Sequence, residues 1–212
     1  MALEVALGTS LARVRTAQIT RDLALAGPDG HAFCVVAPLS PPRLWSTVNE
    51  AVRRGFFPAL QEQKGINGGL QRATGAAAQA ISRLRGALVE PNLNLDAQLV
   101  GVVTQGEQVH LTISAGMRIY RARGGEPKRL LNNPQRTPGV SRGGMLLSTD
   151  RLLQGDLLVF GSRDAFGMRS IGAIATMLAQ RPAARASELC EAALGPCRTA
   201  GIGVGLVVMR VG

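Results

Sequence analysis

Aromatic residues are scarce. Phe, Trp and Tyr make up 3% of the chain, with one tryptophan and one tyrosine. The core must therefore be filled by Val, Leu, Ile and Ala, and few rings are left to stack on the bases of a single-stranded nucleic acid. Cysteine is limited to Cys34, Cys190 and Cys197, an odd number in apolar surroundings without CxxC spacing. That argues against a disulfide framework and a zinc site and for a reducing, cytoplasmic compartment. No stretch approaches the ~20 apolar residues of a membrane span. The opening MALEVALGTSLARVR carries a short alternating run rather than a secretory leader, so no membrane partner is expected. Acids are also few, Asp+Glu 14 against Lys+Arg 24, for a formal net charge of +10. The surplus is nearly all arginine and is spread along the chain. This reads as solvated surface that favours anionic partners, phosphorylated ones included, over a nucleic-acid footprint.

The 212 residues, 46% of them hydrophobic, are enough for a sizeable core and too few for two comfortable domains, so a single domain over 1–212 is expected. Residues 3–7 and 22–26 read as strands, and HAFCVVA (His31–Ala37) as a buried one, with GPDG supplying a hairpin turn. Leu44, Val48, Val52 and Phe56 recur at helical spacing, with Pro58 as a kink or end. After GINGG, the positions Leu70, Ala73, Ala77, Ile81, Leu84 and Leu88 hold one helical face. The period then switches to two. Leu99–Val103, Val109–Ile113 and Met117–Ile119 read as an antiparallel meander, followed by a loop over Asn132–Gly144. The strand Leu157–Phe160, helices over Ser170–Gln180 and Ala184–Leu194, and a closing strand Ile202–Val211 complete the order. Strands from both ends of the chain with helices in pairs predict an α/β (α+β) architecture, two packed antiparallel sheets flanked by helical pairs.

This order, together with four local stretches, resembles the metal-dependent PP2C (PPM-type) Ser/Thr protein phosphatases over about Gly8–Val211. Where that family has a strand ending in Asp-Gly-x-Gly-Gly, His31–Ala37 ends in Pro38-Leu39. Its Gly-Asp-Ser becomes Gly116-Met117-Arg118, and its GD-apolar-Ser-Asp-Gly-Leu becomes Gly155-Asp156-LLVFG-Ser162-Arg163-Asp164-Ala165. Its terminal Asp-Asn-Ile-Thr strand becomes Ala200-Gly201-Ile202-Gly203. The N-terminal Arg and Asn-Glu-Asp fit two registers. One retains Asp22 with Ala17 at the phosphate-binding Arg; the other matches Arg15 and puts Thr20 at the acid. The region 121–155 is short for the family and lacks its Thr-x-Asp-His element, so a reduced flap is expected.

The resemblance implies a four-layer αββα PP2C-like sandwich of bacterial type. In an active member two Mg²⁺ or Mn²⁺ ions are held by the aspartates and activate a water against phosphate. The degenerate positions here are Thr20, Asp22, Pro38, Leu39, Arg163, Asp164, Ala200 and Gly201. A unit charge ~4 Å from a dication repels it by roughly 8 kcal/mol at an effective dielectric of ~20. The resulting expectation is a pseudophosphatase with no catalytic residue, no metal and no cofactor, with Arg163 and Arg15 as candidate anion binders. It would act by binding a protein partner, a kinase or a phosphoprotein, in phosphorylation-linked regulation; the Ala-rich surface permits a homodimer. The alternatives are an active Mn- or Mg-dependent Ser/Thr phosphatase with a relocated or reduced site using Asp22, Asp164 and Glu4, and a basic nucleic-acid binder. Among the other polar residues, Asp156 reads as structural and Asp96 and Asp150 as surface. His31 and His110 read as packing or surface residues, and Ser10, Ser114 and Ser162 lack the His and Asp partners of a nucleophile.

Overall fold

A computed structural model describes residues 2–10, 23–61, 66–88, 95–131, 133, 139–167 and 169–212. Ten strands form two five-stranded antiparallel sheets. The first contains β1 (Leu3–Ser10), β6 (Met117–Ala122), β7 (Lys128–Leu131), β9 (Leu157–Ser162) and β10 (Val204–Val211), in the order β1-β10-β9-β6-β7. The second contains β2 (Ala24–Ala26), β3 (Ala32–Pro38), β4 (Ala97–Gln105), β5 (Gln108–Ile113) and β8 (Leu146–Arg151), in the order β2-β3-β4-β5-β8. Helices α1 (Trp45–Gln61) and α2 (Ile66–Ala87) cover the second sheet. Helices α3 (Arg163–Gly167), α4 (Ser170–Gln180) and α5 (Ala186–Ala200) cover the first.

Three apolar layers follow from the alternation of each strand. On β3, Cys34 and Val36 face α1 and α2, while Phe33 and Val35 face the opposite sheet. On β10, Val207, Met209 and Val211 meet them between the sheets, and Val204, Leu206 and Val208 turn out to α5. Strands covered on both faces need apolar side chains at every position, which is why β3, β9 and β10 read as continuous apolar runs.

Four expectations are corrected. The meander divides: β4 and β5 pair in the second sheet, whereas β6 pairs with β9 and β7 in the first. The chain changes sheets at Ala115-Gly116, where Gly116 takes a φ of 85°, a conformation open to glycine. Helices α1 and α5 run past Pro58 and Pro196. Each proline lies near the helix end and forfeits a single backbone bond, and the buried residues beyond it, Ala59 and Cys197, hold the last turn to the core. GINGG is not a clean break, since α2 begins at Ile66. Strands β7 and β8 and the short α3 were not expected at all. No helix among the described residues is long and apolar enough to cross a membrane, and the three cysteines are free and buried.

Candidate functional site

Pro38, Leu39, Arg163, Asp164, Ala200 and Gly201, the expected site positions among the described residues, lie toward one end of the sandwich, where β3 and β9 leave their sheets and β10 begins. Pro38 closes β3 opposite Ala97, and the Leu39 amide continues the ladder by donating to the Asp96 carbonyl at 2.7 Å. Gln98, next along β4, pairs with Ala37 and packs its side chain over Gly116. The Gly116 carbonyl in turn accepts the Arg163 amide at 2.8 Å. Backbone hydrogen bonds and the Gln98 side chain therefore join Pro38 to Arg163 across the two sheets. Ala200 and Gly201 end α5 beside α3, where Gly167, Arg169, Pro196, Thr199 and Ala200 line a depression of about 530 Å³. Gly201 adopts a left-handed φ of 67° and caps α5 through its amide to the Arg198 carbonyl. Thr20, Asp22 and Arg15 lie outside the described residues.

Pro38, Leu39, Ala200 and Gly201 bring no carboxylate to this mouth. Arg163 opens α3 with Asp164 beside it, and both are exposed. Among the described residues neither makes a side-chain hydrogen bond or ion pair with the other. Burial pushes the Cys197 thiol up, the contact with Ser170 opposes it, and the negative charge of Asp164 adds a smaller upward push. That thiol points at the Ala165 carbonyl, 3.7 Å away. Ser162 is buried and its hydroxyl accepts the Ala165 amide at 3.4 Å; the Ser114 hydroxyl accepts the Leu99 amide at 2.8 Å. Both hydroxyls serve the backbone. His31 is exposed, whereas His110 is buried with Nδ1 3.0 Å from Thr149 Oγ1, and burial holds its pKa down. No three His, Cys, Asp or Glu side chains gather as a metal site among the described residues.

Asp96 corrects a surface assignment. Its side chain is 1% exposed and accepts the Ala97 amide at 2.8 Å, the Ser141 amide at 3.2 Å and the Ser141 hydroxyl at 2.5 Å. Arg85 lies 3.8 Å away and spends its guanidinium on the Leu95 carbonyl and Ser141. The cluster ties the 3₁₀ turn Val140–Arg142 to α2 and to the strand neighbouring Pro38. Asp150 is half-buried and paired to Arg121 at 2.6 Å. Ser141→Ala removes one bond to a buried charge and is expected to cost about 1.5–3 kcal/mol, measured as a lower urea midpoint at unchanged slope.

The larger cavity, about 620 Å³, lies at the far end of the first sheet under α4, against Ala122, Leu157, Ala175 and Arg210. There the Arg210 guanidinium is taken up by the carbonyls of Pro182 and Ala184, and the cavity has no connection with Pro38 or Arg163.

No protein-family model and no curated protein matches the sequence. Solved structures do. The Mycobacterium tuberculosis serine/threonine phosphatase PstP/Ppp superposes with a TM-score of 0.80 at 17% identity, over 100% of this chain and 99% of that one. The chain has the PP2C fold. The PstP catalytic domain in complex with two manganese ions gives a TM-score of 0.78 at 15% identity over 100% of both chains. PppA, a key regulatory component of the T6SS in Pseudomonas aeruginosa, gives 0.71 at 16% identity over 99% and 98%. The expectation of no metal or cofactor is corrected by this likeness, because a PP2C-fold protein matching the full chain carries a manganese pair. The repulsion argument also assumed a poorly screened Arg163, and the side chain is exposed, so solvent weakens it. The described donors nonetheless do not fit a two-ion cage by themselves: Asp164 is the one carboxylate among Pro38, Leu39, Arg163, Asp164, Ala200 and Gly201. An ion here would draw its other ligands from elsewhere.

Proposed function

We propose that this PP2C-fold chain is a catalytically inactive, phosphorylation-linked regulatory protein that works by binding a protein partner. One observation carries the reading. Three expected ligand positions, brought to one end of the sandwich by the ends of β3, β9 and α5, hold Pro38, Arg163 and Ala200. Phosphoryl transfer by hard cations needs carboxylate oxygens to fix the ions and offset their charge. A proline ring, a methyl group and a guanidinium supply neither. What they leave is a mouth of positive character, and Arg163, with Arg15, is suited to a phosphorylated group because guanidinium pairs bidentately with phosphate. The framework meanwhile keeps its layers, which is what a binding role requires. We place the protein in a reducing, cytoplasmic setting, in keeping with its buried free thiols, and treat 1–212 as one domain with a reduced flap over 121–155.

The test is hydrolysis of an aryl phosphate and a phosphoserine peptide with manganese titrated from zero to millimolar. Turnover at the uncatalysed rate throughout is expected. Manganese-dependent turnover that Asp164→Asn abolishes would replace this reading with that of an active phosphatase using a reduced site.

A further inference from the structure

The outer face of the first sheet carries an unneutralised pair of arginines. Met117 and Ile119 of β6 point between the sheets, so Arg118 and Tyr120 leave from the side facing α3 to α5. Arg118 sits opposite Gly161, whose outer side meets Ala165 and Leu206, which confirms that face. On β7 a bulge interrupts the register. Ile119 pairs with Leu131 and Tyr120 with Arg129, leaving Leu130 as the extra residue. An extra residue lets two successive side chains turn the same way, so Leu130 and Leu131 both pack inward while Arg129 stays with Tyr120 on the outer face. Arg118 and Arg129 are then diagonal neighbours, ~7–8 Å apart at the backbone and within reach of each other through long side chains. Between them lies Tyr120, tilted against Phe166 of α3 with ring centroids 4.9 Å apart.

Neither arginine is neutralised by an acid among the described residues. Arg118 has no hydrogen bond or ion pair there, and Arg129 gives Nε to the Leu131 carbonyl of its own strand at 3.1 Å, keeping both Nη nitrogens. Loss of solvent first, and the charge of Arg118 next, depress the Arg129 guanidinium, as expected of two cations sharing one patch. Such a pair lacks a counter-charge. A phosphate monoester brings one, with about −1.5 to −2 charge and three acceptor oxygens, and two guanidinium forks can hold it bidentately. A phosphodiester brings a single charge per group, and one aromatic platform does not make a track for successive bases.

We propose that Arg118 and Arg129, flanking Tyr120, form a docking site for the phosphate of a phosphorylated peptide segment, on the sheet face rather than at the mouth containing Pro38 and Arg163. The site goes beyond the reading above and stands whether or not the mouth turns over a substrate, so the hydrolysis assay and the following titration fail independently.

The experiment is fluorescence anisotropy of an otherwise neutral phosphoserine peptide and its unphosphorylated twin, titrated with the full chain at low salt. Arg118→Gln/Arg129→Gln is compared with Arg163→Ala at the mouth and with Arg72→Gln/Arg83→Gln, an equal loss of two charges on the exposed side of α2. Selective binding of the phosphopeptide, weakened at least tenfold by Arg118→Gln/Arg129→Gln and less than twofold by the α2 control, supports the site. Unchanged binding by Arg118→Gln/Arg129→Gln, equal binding of both peptides, or loss with Arg163→Ala alone overturns it. Inorganic phosphate is expected to displace the peptide only in large excess. Displacement at equal concentration would assign the patch to the free ion, and tighter binding of a short oligonucleotide through the same arginines would assign it to nucleic acid; either result overturns the peptide.

Discussion

Asp156→Ala is expected to remove about 3 kcal/mol of folding stability, by deleting a buried carboxylate whose hydrogen bonds involve a charged group, while its partner Arg123 is 43% exposed and is rehydrated. The Asp156 side chain has no solvent exposure. It accepts two bonds from one guanidinium, Arg123 Nε at 2.8 Å and Nη2 at 2.7 Å, and a third from the Leu153 amide at 2.9 Å. Its backbone meanwhile accepts the Val211 amide, so this carboxylate fastens the turn before β9 to the end of β10. Burial alone would raise its pKa, but the Arg123 and Leu153 bonds, with the charges of Arg123 and Arg121, outweigh that and hold it below the ordinary aspartate value. The unfolded chain therefore binds the proton more readily. The stabilisation is complete above about pH 4, where a free aspartate is ionised, and is lost as pH falls through the lower folded value. Urea midpoints at neutral and acid pH check both parts: the native chain should lose more stability on acidification than Asp156→Ala does. Equal losses would mean that other carboxylates govern the acid limb.

Phe56→Ala is expected to cost ~3–5 kcal/mol, by leaving a cavity the core cannot refill. The ring is fully buried and meets Phe57 edge-on, with centroids 5.4 Å apart at 87°. Its far end presses on β4 at Gly101, where a Cβ would lie 2.5 Å from Phe56 Cζ and 2.9 Å from Thr112 Cγ2. Gly101 is thus small for a steric reason, and Gly101→Ala alone is expected to destabilise by overpacking. In the Phe56→Ala background the new methyl group enters the vacated space, so the double variant should be more stable than the sum of the single losses. A double-mutant cycle with no coupling would show that α1 is seated on the sheet by other contacts.

Legibility of the fold in the sequence followed burial. Strands β3, β9 and β10 are covered on both faces and announce themselves as apolar runs, and α4 is amphipathic enough that its limits were read correctly. Strands β7 and β8 lie at sheet edges, where KRLL and LLSTDR bury one face at most and merge with the neighbouring turns. The division of the meander was hidden for another reason: alternation records that a residue lies in a strand but not which sheet accepts that strand. The scaffold glycines placed the candidate mouth, since the turn at Gly116 and the run from Gly155 to Gly167 keep their spacing where side chains have changed. Asp96 was misread because an aspartate before a strand normally faces water. Its burial depends on Ser141, distant in sequence, and on Arg85 from α2. A Mg²⁺ or Mn²⁺ pair like that of the PstP catalytic domain followed from the resemblance alone, and the expectation of no metal came from weighing ligand positions singly rather than as a constellation.

The pairing of β1 with β10 bears on how the molecule is made. Leu3 to Ser10 are the first of the ten strands in chain order, yet among the described residues their hydrogen-bonded partner strand is the last of them, Val204 to Val211. The second sheet can assemble while synthesis continues; the first waits with one flank unclosed. Contacts of such long sequence separation are slow to form, so the zippering of β10 between β1 and β9 should come late in folding.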